Sequence, residues 1–172
     1  MSKGNEIQVA ILMGSKNDWD QQMKAASDIL TELGIPHESR VLSAHRTPGP
    51  LGDFMKDAES RGCQVFIAGA GGAAHLAGVV SSHTVKPVIG VPIESVLQGL
   101  DSLLSTVQMP GGIPVGTMAI GKAGATNAGL YAAAILSVAH PEIGKKIQAY
   151  RDKRAEKILG ESLPQPMGFK AS

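Results

Sequence analysis

The chain is poor in aromatic residues, cysteine, net charge and long apolar runs, and each shortage closes off a class of protein. Aromatics make up only 3% of its 172 residues, although 43% are hydrophobic. Its interior must therefore be built from Ala, Val, Ile and Leu, and its 21 glycines suit close packing of helices on a sheet. A single cysteine, Cys63, excludes an internal disulfide and fits a reducing compartment. It opens a strand-like run, Gln64-Val65-Phe66-Ile67-Ala68, where a small core residue is the better reading than a nucleophile. A formal charge of +1 supplies no global field for nucleic acid or an anionic membrane surface. No run of about 18 apolar residues is present for a membrane span. Met1–Glu6 leads straight into a short apolar strand, without a signal-peptide core. The expected setting is cytoplasmic, with neither membrane nor nucleic acid as partner.

What the chain does have is alternation. Val9–Met13 reads as a buried strand, and Trp19, Met23, Ala26, Leu30 and Leu33 then recur at helical spacing, with Gly34 as the stop. A second strand is expected over about 39–42. A helix follows Thr47-Pro48 and ends near Gly62, with Thr47 as candidate N-cap. Further strands precede Gly69, span 88–91 and span 114–118, with helices near 73–82 and 95–107. Strands and helices of these lengths imply parallel βαβ units with right-handed crossovers. The expected class is α/β: a three-layer α/β/α sandwich on a flavodoxin-like five-stranded parallel sheet, rather than a full dinucleotide-binding fold.

The end of the chain is unusual. Residues 123–139 are Ala-rich and nearly apolar around the whole circumference, and a helix without a polar face must be covered on all sides. A charged helix follows Pro141 to about Leu159, with Ile143, Ile147 and Tyr150 at i, i+4, i+7 and Lys145, Lys146 and residues 151–157 as its solvated face. These features point to a homo-oligomer that uses the C-terminal helices in its contacts. Residues 1–160 are expected to form one catalytic domain, without an internal repeat or linker, and 161–172 an extended tail.

Ligands of an open parallel sheet bind beyond the C-terminal strand ends, and three complementary segments fall there. In residues 14–18, a glycine, the hydroxyl of Ser15 and free amides at a helix N-terminus make a phosphate seat. Asp18 would repel phosphate; it reads either as the N-cap of a helix beginning at Trp19 or as an acceptor for ribose hydroxyls. Residues 43–48 set Ser43, His45 and Arg46 together. A guanidinium offers a planar fork for phosphate or carboxylate, and a histidine ordinarily titrates near neutrality and passes protons either way. In residues 69–75, a Gly/Ala run lets backbone amides close around a small planar ligand. His75 either reaches that ligand or caps the next helix.

Two decoys are set aside. Gly69-x-Gly71-x-x-Ala74 matches a dinucleotide fingerprint formally, but it follows the third strand and no second nucleotide-binding half comes after it. Gly116-x-x-x-x-Gly121-Lys122-Ala123 lacks the Ser or Thr that would hold magnesium. His37, His83 and His140 show no ligand spacing, so no metal is expected. The residues alone imply a flavodoxin-like domain that binds a small phosphorylated sugar compound beside a proton-transferring histidine.

Five segments carry a more specific message: 13–19 (MGSKNDW), 43–48 (SAHRTP), 68–76 (AGAGGAAHL), 108–115 (QMPGGIPV) and 120–128 (IGKAGATNA). In this order, over about residues 7–150, they resemble the bacterial-type 5-(carboxyamino)imidazole ribonucleotide mutases. The resemblance implies interconversion of the N-carboxy and 4-carboxy forms of aminoimidazole ribonucleotide in purine synthesis, by decarboxylation and recarboxylation, without ATP, metal or cofactor. It implies His45 as the acid/base and Ser15 and Arg46 at the phosphate. It further implies Asp18 at the ribose, Ser43 in the same pocket, Ala70, Gly71, His75 and Leu76 around base and carboxylate, and assembly as an octamer. Carbon dioxide is small and apolar, so only a closed, dry pocket would hold it long enough to react. Asn17 and Ala77 depart from a common serine and a common proline, which puts one phosphate contact and the rigidity of the following turn in question. The competing expectations are a carboxylase that uses carbon dioxide directly, whose counterpart of residues 46–48 resembles Lys-Gly-Pro, and a non-catalytic nucleotide-binding module.

Overall fold

A computed structural model describes residues 6–163. Of the tail expected to be extended, Glu161–Leu163 carry no regular structure, and the rest lies outside the described residues. The order of elements is β1 (Val9–Met13), α1 (Lys16–Asp18), a π-helical turn (Trp19–Met23), α2 (Lys24–Glu32), β2 (His37–Val41), α3 (Pro48–Ser60) and β3 (Val65–Gly71). There follow α4 (Leu76–Ser82), β4 (Val88–Ile93), α5 (Leu100–Val107), β5 (Gly116–Thr117), α6 (Gly121–Ser137) and α7 (Pro141–Leu159).

All strand pairs are parallel, in the order β2-β1-β3-β4-β5, which is the flavodoxin-like arrangement. Central parallel strands are covered on both faces and so read as apolar runs; every residue of β1 and β4 is buried. Alternate residues divide the interior in two. Val9, Ile11, Val65, Ile67, Ile89 and Val91 meet α2, α6 and α7, while Ala10, Leu12, Phe66 and Ala68 meet α3 and α4. Because sequence-adjacent helices lie on opposite faces on either side of β1, the strand order reverses between β1 and β3. The loops after β1, β2 and β3 open at that switch point.

Several boundaries differ from the sequence reading for identifiable reasons. The helix expected near 95–107 starts only at Leu100, because Gln98 and Gly99 both have positive φ, at 56° and 84°. Strand β5 shrinks to two residues: it is an edge strand paired only with β4, and Pro114 offers no N–H. The helix expected near 73–82 starts at Leu76. Gly34 ends α2 with φ of +66° as expected. Helix α7 buries Ile143 and Ile147.

Candidate active site

The first loop is held by Ser15. In an extended conformation it caps α1, and its Oγ accepts the Asp18 N–H at 3.3 Å. This corrects the reading of Asp18 as N-cap of a helix starting at Trp19: the helix begins three residues earlier, Asp18 makes no side-chain cap bond, and its carboxylate is left to face the cavity. The Ser15-x-x-Asp18 spacing is that of a capping box, a signal that could have identified the cap. The π-helical turn that follows swings buried Met23 against Gly69, where β3 has no space for a side chain. The first loop is thereby packed against the strand that carries the third.

The second loop is a closed turn. Thr47 donates its N–H to Ser43 O at 2.9 Å, accepts the Ser43 N–H at 2.8 Å through Oγ1, and returns the Oγ1 proton to Ser43 O at 3.0 Å. Thr47 occupies the N-cap position of α3 but makes no side-chain cap bond, because its hydroxyl is used inside this turn. The turn projects Arg46 back toward the first loop, where Nη2 donates to Gly14 O at 2.6 Å and Nε lies 3.4 Å from Ser43 Oγ.

The third loop completes the arrangement. His75 precedes α4 and makes no cap bond. Its Nδ1 lies 2.9 Å from His45 Nε2, with the rings edge-to-face, 5.0 Å between centroids and 89° between planes. One nitrogen of the pair must carry the proton and the other the lone pair.

Between the loops is a cavity of about 350 Å³, large enough for a small ligand. Ser15, Asp18, Ser43, His45, Arg46, Ala70, Gly71, His75 and Leu76 all line it, joined by Gly14, Ala44 and Ala73. Its chemistry is sharply divided: a guanidinium and two hydroxyls toward β1 and β2, two imidazoles in the middle, and a Gly/Ala wall toward β3. His45, Arg46 and His75 are exposed in the single chain. A larger cavity, about 630 Å³, lies at the opposite edge around the start of β4 and Tyr131. Among the described residues no three His, Cys, Asp or Glu side chains gather as metal ligands, and no helix is long and apolar enough to cross a membrane.

The model of the AIR carboxylase family matches residues 8–157, a span that takes in all three loops. The chain belongs to the AIR carboxylase family. Among its relatives, the N5-carboxyaminoimidazole ribonucleotide mutase of Vibrio cholerae is 53% identical over 157 residues, covering 91% of this chain and 97% of the relative. The mutase of the same name from Escherichia coli strain K12 is 51% identical over 168 residues, covering 97% and 98%. The crystal structure of Treponema denticola PurE superposes with a TM-score of 0.80 at 29% identity, over 90% of this chain and 95% of that one. As an AIR carboxylase family member, the chain is an α/β protein with the sheet order described above.

Of the two departures noted in this family member, Asn17 is exposed on α1, and Ala77 is buried in the first turn of α4 beside Gly90. Sequence reading missed the residues behind the third loop. Ser102 and Ser105 of α5 contact the backbone of Gly72, and a serine inside a helix whose partner lies 30 residues away leaves no local signature.

Proposed function

We propose that the chain is a 5-(carboxyamino)imidazole ribonucleotide mutase, an isomerase of de novo purine biosynthesis acting without ATP, metal or organic cofactor. The observation that carries this reading is the His45–His75 hydrogen bond within the cavity that also presents Arg46. Arg46 and Ser15 hold the substrate phosphate, Asp18 accepts from the ribose hydroxyls, and Ser43 lines the same pocket. Ala70, Gly71, His75 and Leu76 enclose the planar base and its carboxylate.

His45 is the acid/base. The N–C bond of the N-carboxy group breaks, carbon dioxide leaves, and the bond's electron pair stays on nitrogen, which takes a proton from His45. Ring carbon four then attacks the retained carbon dioxide, a C–C bond forms, and the ring proton passes to His45. No proton is gained or lost overall. The His45–His75 contact suits this cycle, because a histidine that donates from one ring nitrogen keeps that bond whether or not the other nitrogen is protonated. The Gly/Ala wall presents no permanent charge to the small apolar intermediate.

The same reading takes the chain as a cytoplasmic homo-oligomer, an octamer by resemblance, with residues 1–160 as one catalytic unit. It is supported by apolar side chains left outside: Leu100, Leu104 and Val107 form a helical stripe at 48–55% exposure, Leu97 in the turn before α5 is 62% exposed, and Tyr131 on α6 is 48% exposed.

The test is a substrate-choice assay. Purified protein is given the N-carboxy nucleotide alone, or the uncarboxylated nucleotide with bicarbonate, beside His45→Asn. The expected result is turnover of the former, with His45→Asn binding substrate but losing most activity. Turnover only of the latter would identify a direct carboxylase, and binding without turnover in the parent would identify a non-catalytic module.

A further inference from the structure

The Gly/Ala loop has to hold its shape although Gly72 is in the left-handed region, with φ of +65° and nothing within 4 Å of where a Cβ would stand. Its restraint comes from behind. The Gly72 N–H donates to Ser102 Oγ at 2.9 Å, and Ser102 is fully buried at 0% exposure. Ser102 Oγ in turn points to Ser95 Oγ at 3.4 Å, and the Ser95 hydroxyl donates to the Asp101 carboxylate. Both serine hydroxyls run toward the Asp101 carboxylate. An ionised carboxylate only accepts, so the Ser95 and Ser102 protons point to its side, and a Ser102 lone pair is left for the Gly72 amide. Ser105 Oγ bonds Asp101 O at 2.7 Å and lies 3.4 Å from Gly72 O.

Helix α5 is itself well anchored. Gly90 of β4 leaves no space for a side chain beneath the Thr106 methyl, and Thr106 Oγ1 donates to Ser102 O at 2.7 Å. One turn from that seat, toward the C-terminal strand edge, lies Ser102. Helix position on β4 is thereby transmitted to a single amide of the loop that carries His75.

We propose that Ser102 is a positioning residue of this site: by pinning the Gly72 amide it holds the Gly71–His75 wall closed against His45, and so governs whether carbon dioxide is recaptured or escapes. This rests on the mutase reading above. Escape leaves the proton from His45 on nitrogen, as a neutral amine, and the ring proton on carbon four, so the uncarboxylated nucleotide is released in place of the 4-carboxy product and His45 regains its proton from solvent. The phosphate seat, by contrast, follows β1 and β2, and among the described residues Ser15, Ser43 and Arg46 make no hydrogen bond to α5.

The two groups of residues therefore separate in experiment. With N-carboxy nucleotide as substrate, Ser102→Ala should lower kcat by roughly 10- to 100-fold, the scale for misplacing a reacting group by a fraction of a bond length or more. It should also raise the enzyme-dependent fraction of uncarboxylated nucleotide among the products, while ribose 5-phosphate inhibits as well as in the parent. Ser102→Thr, which keeps the hydroxyl, should recover the partition at least in part. If Ser102→Ala does not fold, Ser95→Ala, which removes only the outer link, should shift the partition in the same direction by less. A parent protein with no turnover sinks the mutase reading. A normal parent, with kcat and partition unchanged in the folded variant, overturns the role of Ser102 alone; so does a loss of rate with no change in partition, since that is what general loosening gives.

Discussion

Arg46 uses its guanidinium twice, once on the Gly14 carbonyl and once toward Ser43, so its position is set before any ligand arrives. A preset charged donor contributes its full hydrogen-bond strength to an incoming phosphate, and Arg46→Ala should weaken substrate binding by about 1.5–3 kcal/mol, measured by titration calorimetry. Near-parent affinity would remove Arg46 from the phosphate seat. Cys63 makes the opposite case. Burial pushes its thiol up to about 11, with 2% exposure and its Sγ directed to Val65 O. A thiol that is neither ionised nor accessible does not attack, so disulfide exchange reagents should label it only after denaturation; rapid labelling of native protein would contradict this. Both residues were legible in the sequence, Arg46 from its neighbours Ser43 and His45, Cys63 from the strand it opens. Asp18 was less so, because Ser15 and Asp18 are both good capping types, and telling them apart rests on the three-residue spacing that marks Ser15 as the cap.

At the level of elements, strands β1 and β4 were readable because parallel burial makes them apolar throughout. Strand β2, with the sequence His37-Glu-Ser-Arg-Val41, is a polar edge, and the reading found only its last residues. Besides its backbone ladder to β1, it is tied to the end of α3 by ion pairs. Glu38 bonds Arg61 at the end of α3 at 2.7 Å and Arg40 at 2.6 Å, and Asp57 also holds Arg61. Burial alone would raise the Glu38 carboxyl, but the hydrogen bonds from Arg61 and Arg40 outweigh it and leave it below its ordinary 4.5. A carboxyl depressed by folding adds stability that is complete above its ordinary value and is lost as the pH falls through the folded one. Glu38→Gln should therefore reduce stability by roughly 0.5–1 kcal/mol at pH 7, since the pair is only partly buried. Thermal melts of variant and parent should converge as the pH drops below 4.5. A difference that persists unchanged into acid would mean the substitution acts through packing.

For the whole molecule, helix α6 states the problem in its sequence and the single chain answers half of it. Its inner face is fully used, with Ala125, Ala128, Ala132 and Ala133 at 0% exposure and Gly129 set against the Ala26 carbonyl and Ile29. Its outer face keeps Tyr131 at 48% and leads to Val138 at 88%. The periodicity predicts a helix that needs cover on all sides; it has no means of naming the cover, because local spacing carries no mark of what lies against the outer face. The candidate site has the same need. The cavity is open in one chain at His45, Arg46 and His75; on the proposed mutase reading it has to retain carbon dioxide, so enclosure and assembly are expected to coincide. Tyr131 borders the large cavity at the far edge of the sheet, away from the three loops, which makes it a probe of assembly that leaves the loops untouched. Sedimentation of the parent should give a multiple of 17.8 kDa. Tyr131→Glu should shift it to smaller species, make its melting temperature depend on protein concentration, and reduce turnover in step with the mass. If the dissociated variant keeps full turnover, the site is complete within one chain. If the parent itself sediments as a 17.8 kDa monomer, the exposed face of α6 has another use.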